Sequence, residues 1–316
     1  MSKTGVAGEL GQIEITHGEQ RAGIVALGGG LRSYEVAGQE LLNGFRPGER
    51  PASGRGQVLI PWPNRIENGS YEFEGKQLQL PLTEPENGNA IHGLVRGARW
   101  SVVDREADRV LLDYTLQPEP GYPFRLGLSI EYTLSESGLT VTTTAWNLGR
   151  ENCPYGAGQH PYLTLGTPTI DTLRLQAPGR RVEFSDERGL PVRSAPVDGT
   201  EYDFRAGRKI GETLLDNAFT ELERDPDGRA RVLLDDPASG AGLTLWVDEN
   251  YRYLMLYTGD SHPDVARHGL AVEPMTCPPN AFRTGDAVIR LAPGESIATS
   301  WGIEPRLPAE GSPDDR

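Results

Sequence analysis

The sequence predicts an all-β protein, built as a sandwich or barrel of antiparallel strands. Several runs alternate between apolar and polar residues at period two, and short turns join them. No long stretch spaces its apolar residues as a helix would, at i, i+3, i+4 and i+7. Glycine and proline occur 39 and 25 times in 316 residues, a high content that is typical of turn-rich β structure.

The clearest strand pair flanks a turn at 135–138. Apolar and polar residues alternate over 124–134 and again over 139–146, which predicts an antiparallel hairpin. Similar patterns predict three further hairpins, over 100–116, 231–247 and 288–303. The best helical candidate, 210–219, is short and bounded by Gly211, so we expect helices to be few and brief.

Composition indicates one domain over residues 1–316. No linker rich in serine, glycine or charge divides the chain, and there is no internal repeat. One β domain of this length is common. The last stretch, 307–316, is too polar to join a core, and we predict that it forms a tail.

Charge, cysteines and motifs exclude several function classes. The net charge of −14 disfavours nucleic acid as a partner. No apolar run approaches the ~18 residues that would span a bilayer, and no apolar leader is present, so we expect a cytoplasmic protein without a membrane partner. Cys153 and Cys277 have no metal-ligand spacing, and the nucleotide motifs are missing. We therefore expect neither a metal nor another cofactor.

Two proline-bordered or glycine-bordered loops carry the first candidate residues. In the segment 60–66, two prolines restrict the backbone that presents Asn64 and Arg65. His92 follows in a loop beside Gly93. Each has a structural alternative: Arg65 as a solvated loop charge, and His92 as a histidine satisfied within the fold.

The second half of the chain contributes three more candidates. His160 stands beside Pro161, and Glu273 ends an apolar strand where Pro274 fixes it, so that burial could tune its pKa. Asp216 precedes a short apolar run. Each has a structural alternative. His160 could be satisfied within the fold, Glu273 could cap backbone amides in a turn, and Asp216 could cap a helix or turn. His262 lies in a polar stretch and is interpreted as a surface residue.

Taken together, these segments resemble the aldose 1-epimerase (galactose mutarotase) family along nearly the whole chain. The resemblance rests on five motifs in the same order: Pro61-Trp-Pro-Asn-Arg65, Asn89-Ala-Ile-His92-Gly93, Gln159-His160-Pro161-Tyr162, Leu215-Asp216-Asn217 and Val272-Glu273. It implies a large antiparallel β-supersandwich with an open cleft that binds a monosaccharide, without metal or nucleotide. It also implies a monomer or a weak homodimer.

The resemblance implies anomer interconversion, with Glu273 as general base and His160 as general acid. Arg65, His92, Asp216 and Asn64 would bind sugar oxygens. Opening a pyranose ring needs one proton removed from the anomeric hydroxyl and another delivered to the ring oxygen, so we expect the base and the acid on opposite sides of C1. Unperturbed pKa values of about 4.3 and 6.5 predict a bell-shaped pH profile between them.

Departures from the family pattern concern the substrate. Leu94 and Gln159 replace the glycine and asparagine of galactose-active relatives, and Trp62, Pro274 and the run 277–279 are more similar to a bacterial branch that includes sulfoquinovose mutarotase-like proteins. Arg96 and Arg99 could face a sulfonate or phosphate, or could simply be solvent-facing. Alternatives in other classes are a non-catalytic carbohydrate-binding or sensing protein and a glycoside hydrolase, which the low helical content disfavours.

Overall fold

The computed structural model describes residues 11–306, of which most belong to antiparallel strands. In chain order these are β1 (Gln12–His17), β2 (Gln20–Val25), β3 (Leu31–Val36), β4 (Gln39–Glu40), β5 (Val58–Leu59), β6 (Arg65–Glu67), β7 (Ser70–Phe73), β8 (Lys76–Gln79), β9 (Asn89–Ile91), β10 (Ser101–Arg105), β11 (Arg109–Leu116), β12 (Leu126–Ser135), β13 (Gly138–Asn147), β14 (Cys153–Tyr155), β15 (Gly158–Gln159), β16 (Tyr162–Leu163), β17 (Arg174–Gln176), β18 (Gly179–Ser185), β19 (Pro191–Pro196), β20 (Arg208–Lys209), β21 (Asp216–Leu222), β22 (Ala230–Asp235), β23 (Gly242–Val247), β24 (Tyr253–Tyr257), β25 (Leu270–Met275), β26 (Ile289–Leu291) and β27 (Ser296–Arg306). A 3-10 turn (Ile170–Thr172) and one helical turn, α1 (Ala281–Thr284), are the helical elements among the described residues.

Two large sheets form the molecule. The nine-stranded sheet has the order β10-β11-β12-β13-β27-β23-β22-β17-β20. The eight-stranded sheet has the order β19-β18-β21-β24-β25-β15-β5, and β16 pairs with β25 beside β15. One hydrophobic cluster contains side chains from both, such as Leu128 of β12 and Leu256 of β24. The predicted all-β, galactose mutarotase-like fold class is confirmed.

The period-two pattern explains the long central strands. Buried and partly exposed residues alternate through all ten positions of β12, and this strand pairs with β13 from Leu126 to Ser135. Gly138 closes the turn at φ 116°, where a Cβ atom would lie 2.1 Å from the carbonyl oxygen of Ile303. Only glycine fits there, because both the positive φ and the close backbone approach exclude a side chain.

The predicted hairpins over 100–116 and 231–247 are present as β10–β11 and β22–β23. The hairpin predicted over 288–303 is wrong, because β26 pairs with β14, whereas β27 pairs with β13 and β23. The segment 210–219, the best helical candidate, forms no helix: it is a turn followed by the first residues of β21. The expectation that helices are few and brief is confirmed for the described residues.

None of the helices within residues 11–306 is long and apolar enough to cross a membrane. The predicted tail at 307–316 lies outside the described residues.

Candidate active site

The candidate active site lies on one face of the eight-stranded sheet, where β15 and β16 run beside β25. Two pairs fix their register: Gly158 opposite Met275, and Tyr162 opposite Ala271. The residue midway between the two pairs is His160, and by the same register it lies opposite Glu273. Directly opposed residues of antiparallel strands project from the same face, so pairing alone brings these two side chains together.

A cavity of about 300 Å³ opens above this face. The structure brings all six predicted site residues to its lining: Asn64, Arg65, His92, His160, Asp216 and Glu273. They come from five separate stretches of the chain. Concave pockets with a few convergent polar groups are the usual location of ligand sites.

His160 and Glu273 are in direct contact on the cavity floor. The Nε2 atom of His160 lies 3.3 Å from Oε1 of Glu273. Both residues are almost completely buried, with 5% and 2% of their surface exposed. The two groups are therefore adjacent, whereas we expected them on opposite sides of the anomeric carbon.

Burial determines the proton state of this pair. It raises the pKa of Glu273 well above its usual range, and Asp216 adds to the effect. Burial also lowers the pKa of His160 to about 3. Both changes have one cause, since a low-dielectric environment disfavours the charged form of either group. Both shifts favour a neutral carboxyl beside a neutral imidazole, a pair that has one proton to exchange across the contact.

Asn64 and His92 hold one another where β6 meets β9. Both adopt left-handed backbone conformations, with φ of 53° and 61°. The His92 N–H donates to the Asn64 carbonyl at 2.9 Å, and the Asn64 N–H donates to Nδ1 of His92 at 3.2 Å. Burial lowers the pKa of His92 well below its usual value. The neutral ring accepts at Nδ1, so its proton is on Nε2, which can donate to a ligand.

Glu84 holds the guanidinium of Arg65. The Nε and Nη2 atoms of Arg65 each donate to one carboxylate oxygen at 2.9 Å. Gly189 lies against the same guanidinium, because a Cβ atom there would be 2.6 Å from Nη1. This bidentate pair fixes the orientation of Arg65 and leaves mainly Nη1 for another partner. Arg65 is therefore not the solvated loop charge of the alternative interpretation.

Asp216 and Arg96 carry opposite charges into the cavity. Asp216 begins β21 opposite Tyr257; the residue is exposed to solvent, yet desolvation of its carboxyl by the surrounding cavity walls raises its pKa. Arg96 donates from Nη2 to the carbonyl of Ile91 at 3.1 Å. None of the ion pairs among residues 11–306 involves Arg96, and burial lowers its pKa. Its positive charge in the cavity is therefore not in direct contact with a carboxylate.

Several lining residues were not predicted. The rim carries a hydrogen-bonded group in which the Tyr257 hydroxyl contacts Nδ1 of His262 at 2.6 Å and the Ser261 hydroxyl at 2.7 Å. His262 is exposed, as the sequence predicted, but it also lines the cavity. Glu84 and Gly54 were missed as well. Nothing in the local sequence marks them, since their importance comes from contacts with distant residues.

The described residues contain no group of three or more His, Cys, Asp or Glu side chains arranged to hold a metal ion.

Comparison with known proteins decides the family. The sequence profile named aldose 1-epimerase matches residues 11–303. The chain belongs to the aldose 1-epimerase family. The predicted resemblance is thereby confirmed, and the protein is a carbohydrate epimerase, an isomerase that acts on a sugar. This assignment supports an enzyme over a non-catalytic sensing protein.

Similar proteins include bacterial and animal relatives. Uncharacterized protein YihR of Escherichia coli is 35% identical over 284 residues, covering 90% of this chain and 89% of YihR. Human galactose mutarotase is 28% identical over 170 residues, covering 51% and 48% of the two chains.

Solved structures share the fold. A GalM/aldose epimerase homologue from Caenorhabditis elegans superimposes with a TM-score of 0.84 at 21% identity, over 95% of this chain and all of the other. Galactose 1-epimerase from Lactobacillus acidophilus gives 0.78 at 24% identity, over 94% and 95%. At these identities the likeness establishes the fold.

Proposed function

We propose that the enzyme interconverts the α and β anomers of a hexose by opening and closing the sugar ring. The observation that carries this proposal is the 3.3 Å contact between Glu273 and His160 on the cavity floor. An acid and a base this close can reach the two oxygens that share the anomeric carbon. In this proposal Glu273 is the general base and His160 the general acid.

Ring opening starts from ionised Glu273 and protonated His160. Glu273 takes the proton of the anomeric hydroxyl, and the electron pair of that O–H bond forms the carbonyl. The bond between C1 and the ring oxygen breaks, and His160 protonates that oxygen. Rotation about C1–C2 then presents the other carbonyl face. On closure His160 takes the proton back from the attacking hydroxyl and Glu273 protonates the carbonyl oxygen, so both groups return to their starting protonation states.

The neutral forms of Glu273 and His160 are compatible with this cycle. Neutral Glu273 and neutral His160 contain the same total number of protons as the ionised pair. The two forms differ by one transfer across the 3.3 Å contact. They therefore coexist over one range of pH, which is the range in which the pair as a whole carries one proton.

The other predicted residues would orient the sugar. The Nε2–H of neutral His92 and the remaining donors of Arg65 suit hydroxyl or ring oxygens, and they can stabilise charge developing on oxygen. Asp216 is an acceptor for sugar hydroxyls. The side-chain oxygen of Asn64 already accepts the N–H of Arg65 at 2.9 Å, so Asn64 acts chiefly by positioning its neighbours.

Polarimetry of freshly dissolved α-glucose and α-galactose tests the assignment. We expect Glu273→Gln and His160→Ala each to lower the catalysed rate by ~10²–10⁴-fold, the usual value of one proton transfer. Glu136→Gln, in an exposed turn, and His17→Ala, on the surface, are matched controls that should retain the rate. Unchanged rates in both site variants would remove the proposed roles.

Arg96 lines the cavity without a carboxylate in direct contact, which favours a second candidate substrate, a hexose with an anionic substituent such as sulfoquinovose or a hexose 6-phosphate. A guanidinium binds such groups bidentately. Arg99, the other arginine that the sequence singled out, is exposed and does not line the cavity. Replacing Arg96 should therefore affect the binding of an anionic sugar, whereas replacing Arg99 should not.

A substrate panel distinguishes the two candidates. For an anionic sugar, Arg96→Gln should lower kcat/KM by ~10–100-fold, the value of a charged hydrogen bond, and should alter neutral hexoses far less. Arg99→Gln is the control. If wild type prefers glucose or galactose and Arg96→Gln affects all sugars equally, the neutral hexose is the substrate.

A further inference from the structure

We propose that Gly54, within the segment 53–57, is a positioning residue that holds the His160 imidazole against Glu273. This inference rests on the proposed role of His160 as general acid. It assigns a function to a loop glycine that no motif in the sequence marks.

The imidazole of His160 lacks the usual hydrogen bond that orients a catalytic histidine. Such a ring commonly donates its second N–H to a carbonyl or carboxylate, which fixes its tautomer and rotation. Here Nδ1 is buried and has no hydrogen-bond partner among residues 11–306. Apart from the contact of Nε2 with Glu273, the orientation of the ring therefore depends on packing.

Gly54 packs against this ring. Its backbone lies so near the ring that a Cβ atom would be 2.6 Å from both Cδ2 and Nε2 of His160. Nε2 is the atom that faces Glu273 at 3.3 Å. Gly54 also has a φ of +79°, which glycine adopts without strain. A side chain at this position would move the reacting nitrogen itself.

The rest of the segment 53–57 is bonded to the same histidine and to its neighbour. The Gly56 N–H donates to the His160 carbonyl at 2.9 Å, and the His160 N–H donates to the Gln57 carbonyl at 3.1 Å. Tyr162 stacks on the His160 ring, with centroids 5.1 Å apart, and its hydroxyl donates to the Ser53 carbonyl at 2.8 Å. The segment 53–57 thus holds the backbone of His160 directly and its ring through Tyr162.

Asp264 ties this loop to the stretch of chain that carries Ser261 and His262, two lining residues of the cavity. The Ser53 hydroxyl donates to its carboxylate at 3.0 Å, and Nη1 of Arg55 does so at 3.3 Å. Nη2 of Arg55 also donates to the Asp264 carbonyl. The bridge restrains the segment 53–57 from outside the site, so that Gly54 stays against the ring.

The test compares Gly54→Ala with Gly48→Ala. Gly48 has a φ of +88° and no atom within 4 Å of a Cβ, so its replacement introduces the same backbone strain without the contact. We expect Gly54→Ala to lower kcat by ~10–100-fold, the effect of a misplaced group, with little change in KM and with a shifted pH profile. Gly48→Ala should behave as wild type in these assays.

A second readout does not depend on activity. The imidazole nitrogen chemical shifts of His160, measured by NMR with ¹⁵N-histidine, should change in Gly54→Ala and not in Gly48→Ala. If Gly54→Ala does not fold, Asp264→Ala replaces it, with the exposed Asp198→Ala as its control, and a smaller change in the same direction is expected.

The outcomes separate this inference from the proposed function. Should Gly54→Ala match Gly48→Ala in kcat, pH profile and His160 shifts, the positioning role is overturned. Should wild type interconvert the anomers of no sugar, the proposed function fails, and the NMR comparison still decides whether Gly54 orients the ring.

Discussion

Burial favours the neutral forms of both Glu273 and His160. The pKa of Glu273 lies well above the ordinary range, and the pKa of His160 is lowered to about 3. The free side chains would titrate in the opposite order, at about 4.3 and 6.5. The sequence identified the two residues through a family resemblance but predicted the order of their pKa values wrongly, because the depth of a residue follows from tertiary contacts.

The pH dependence of the reaction should reflect this reversal. The pair carries one proton between the low pKa of His160 and the raised pKa of Glu273, so kcat/KM should show no acid limb down to about pH 4 and a basic limb well above the usual glutamate range. The measurement is polarimetric kcat/KM across pH. A bell-shaped profile with limbs near 4.3 and 6.5 would contradict the reversed order and would agree with the unperturbed pKa values.

Stability should depend on pH through Glu273. Above the unfolded pKa of about 4.3 the unfolded chain has released this proton while the native state keeps it, so stability falls as pH rises toward the raised native pKa. Glu273→Gln removes this dependence. We expect the melting temperature of the variant, relative to wild type, to increase between pH 5 and 9. The burial argument would be contradicted if the difference in melting temperature between Glu273→Gln and wild type did not change with pH. It would also be contradicted if the exposed control Glu136→Gln showed the same difference.

The elements around the site depend on close backbone contacts as much as on strands. Gly93 follows His92 at φ 68°, and a Cβ atom there would lie 2.0 Å from the carbonyl oxygen of Ile60. This approach fixes the loop after β9 against the segment 60–66, which carries Asn64. The sequence placed glycine and proline in both loops, yet it gave no indication that the loops touch.

Gly93→Ala should therefore destabilise the protein. Backbone strain and the clash with Ile60 together should cost more than ~2 kcal/mol, since neither partner is a flexible side chain. Gly97→Ala, four residues on, meets no atom within 4 Å and is the control, expected to be within ~0.5 kcal/mol of wild type. Thermal or urea unfolding measures both. Equal stabilities would show that the loop can move aside at no cost.

The strands themselves were largely predictable, because period-two alternation reports burial on one face. It identified β10 to β13 and β22 to β23 with their hairpin turns. It failed at β26 and β27, where two adjacent strands resembled a hairpin but belong to different sheets. Local pattern cannot distinguish a turn that reverses the chain within a sheet from one that carries it between sheets.

At the scale of the molecule, the last strand joins the two halves of the chain. β27 lies between β13 and β23, and so connects the hairpins of the first half to those of the second. The site has a comparable origin, because His160 and Glu273 meet only through the register of β16 and β15 on β25. The sequence could not predict these long-range strand pairings. The order of the family motifs, however, could suggest that His160 and Glu273 share one site.

The prediction of a single domain over 1–316 leads to a test of cooperativity. Trp301 of β27 is fully buried in the cluster that both sheets share. If the sheets unfold together, calorimetry should show one transition, and Trp301→Ala should lower its temperature by an amount equivalent to ~3–5 kcal/mol. Trp146→Ala, at a ring that is 37% exposed, is the matched control and should have a smaller effect. If calorimetry shows two transitions and Trp301→Ala shifts only one of them, the sheets are separate folding units. The cavity on the eight-stranded sheet would then not depend on the core beneath β27.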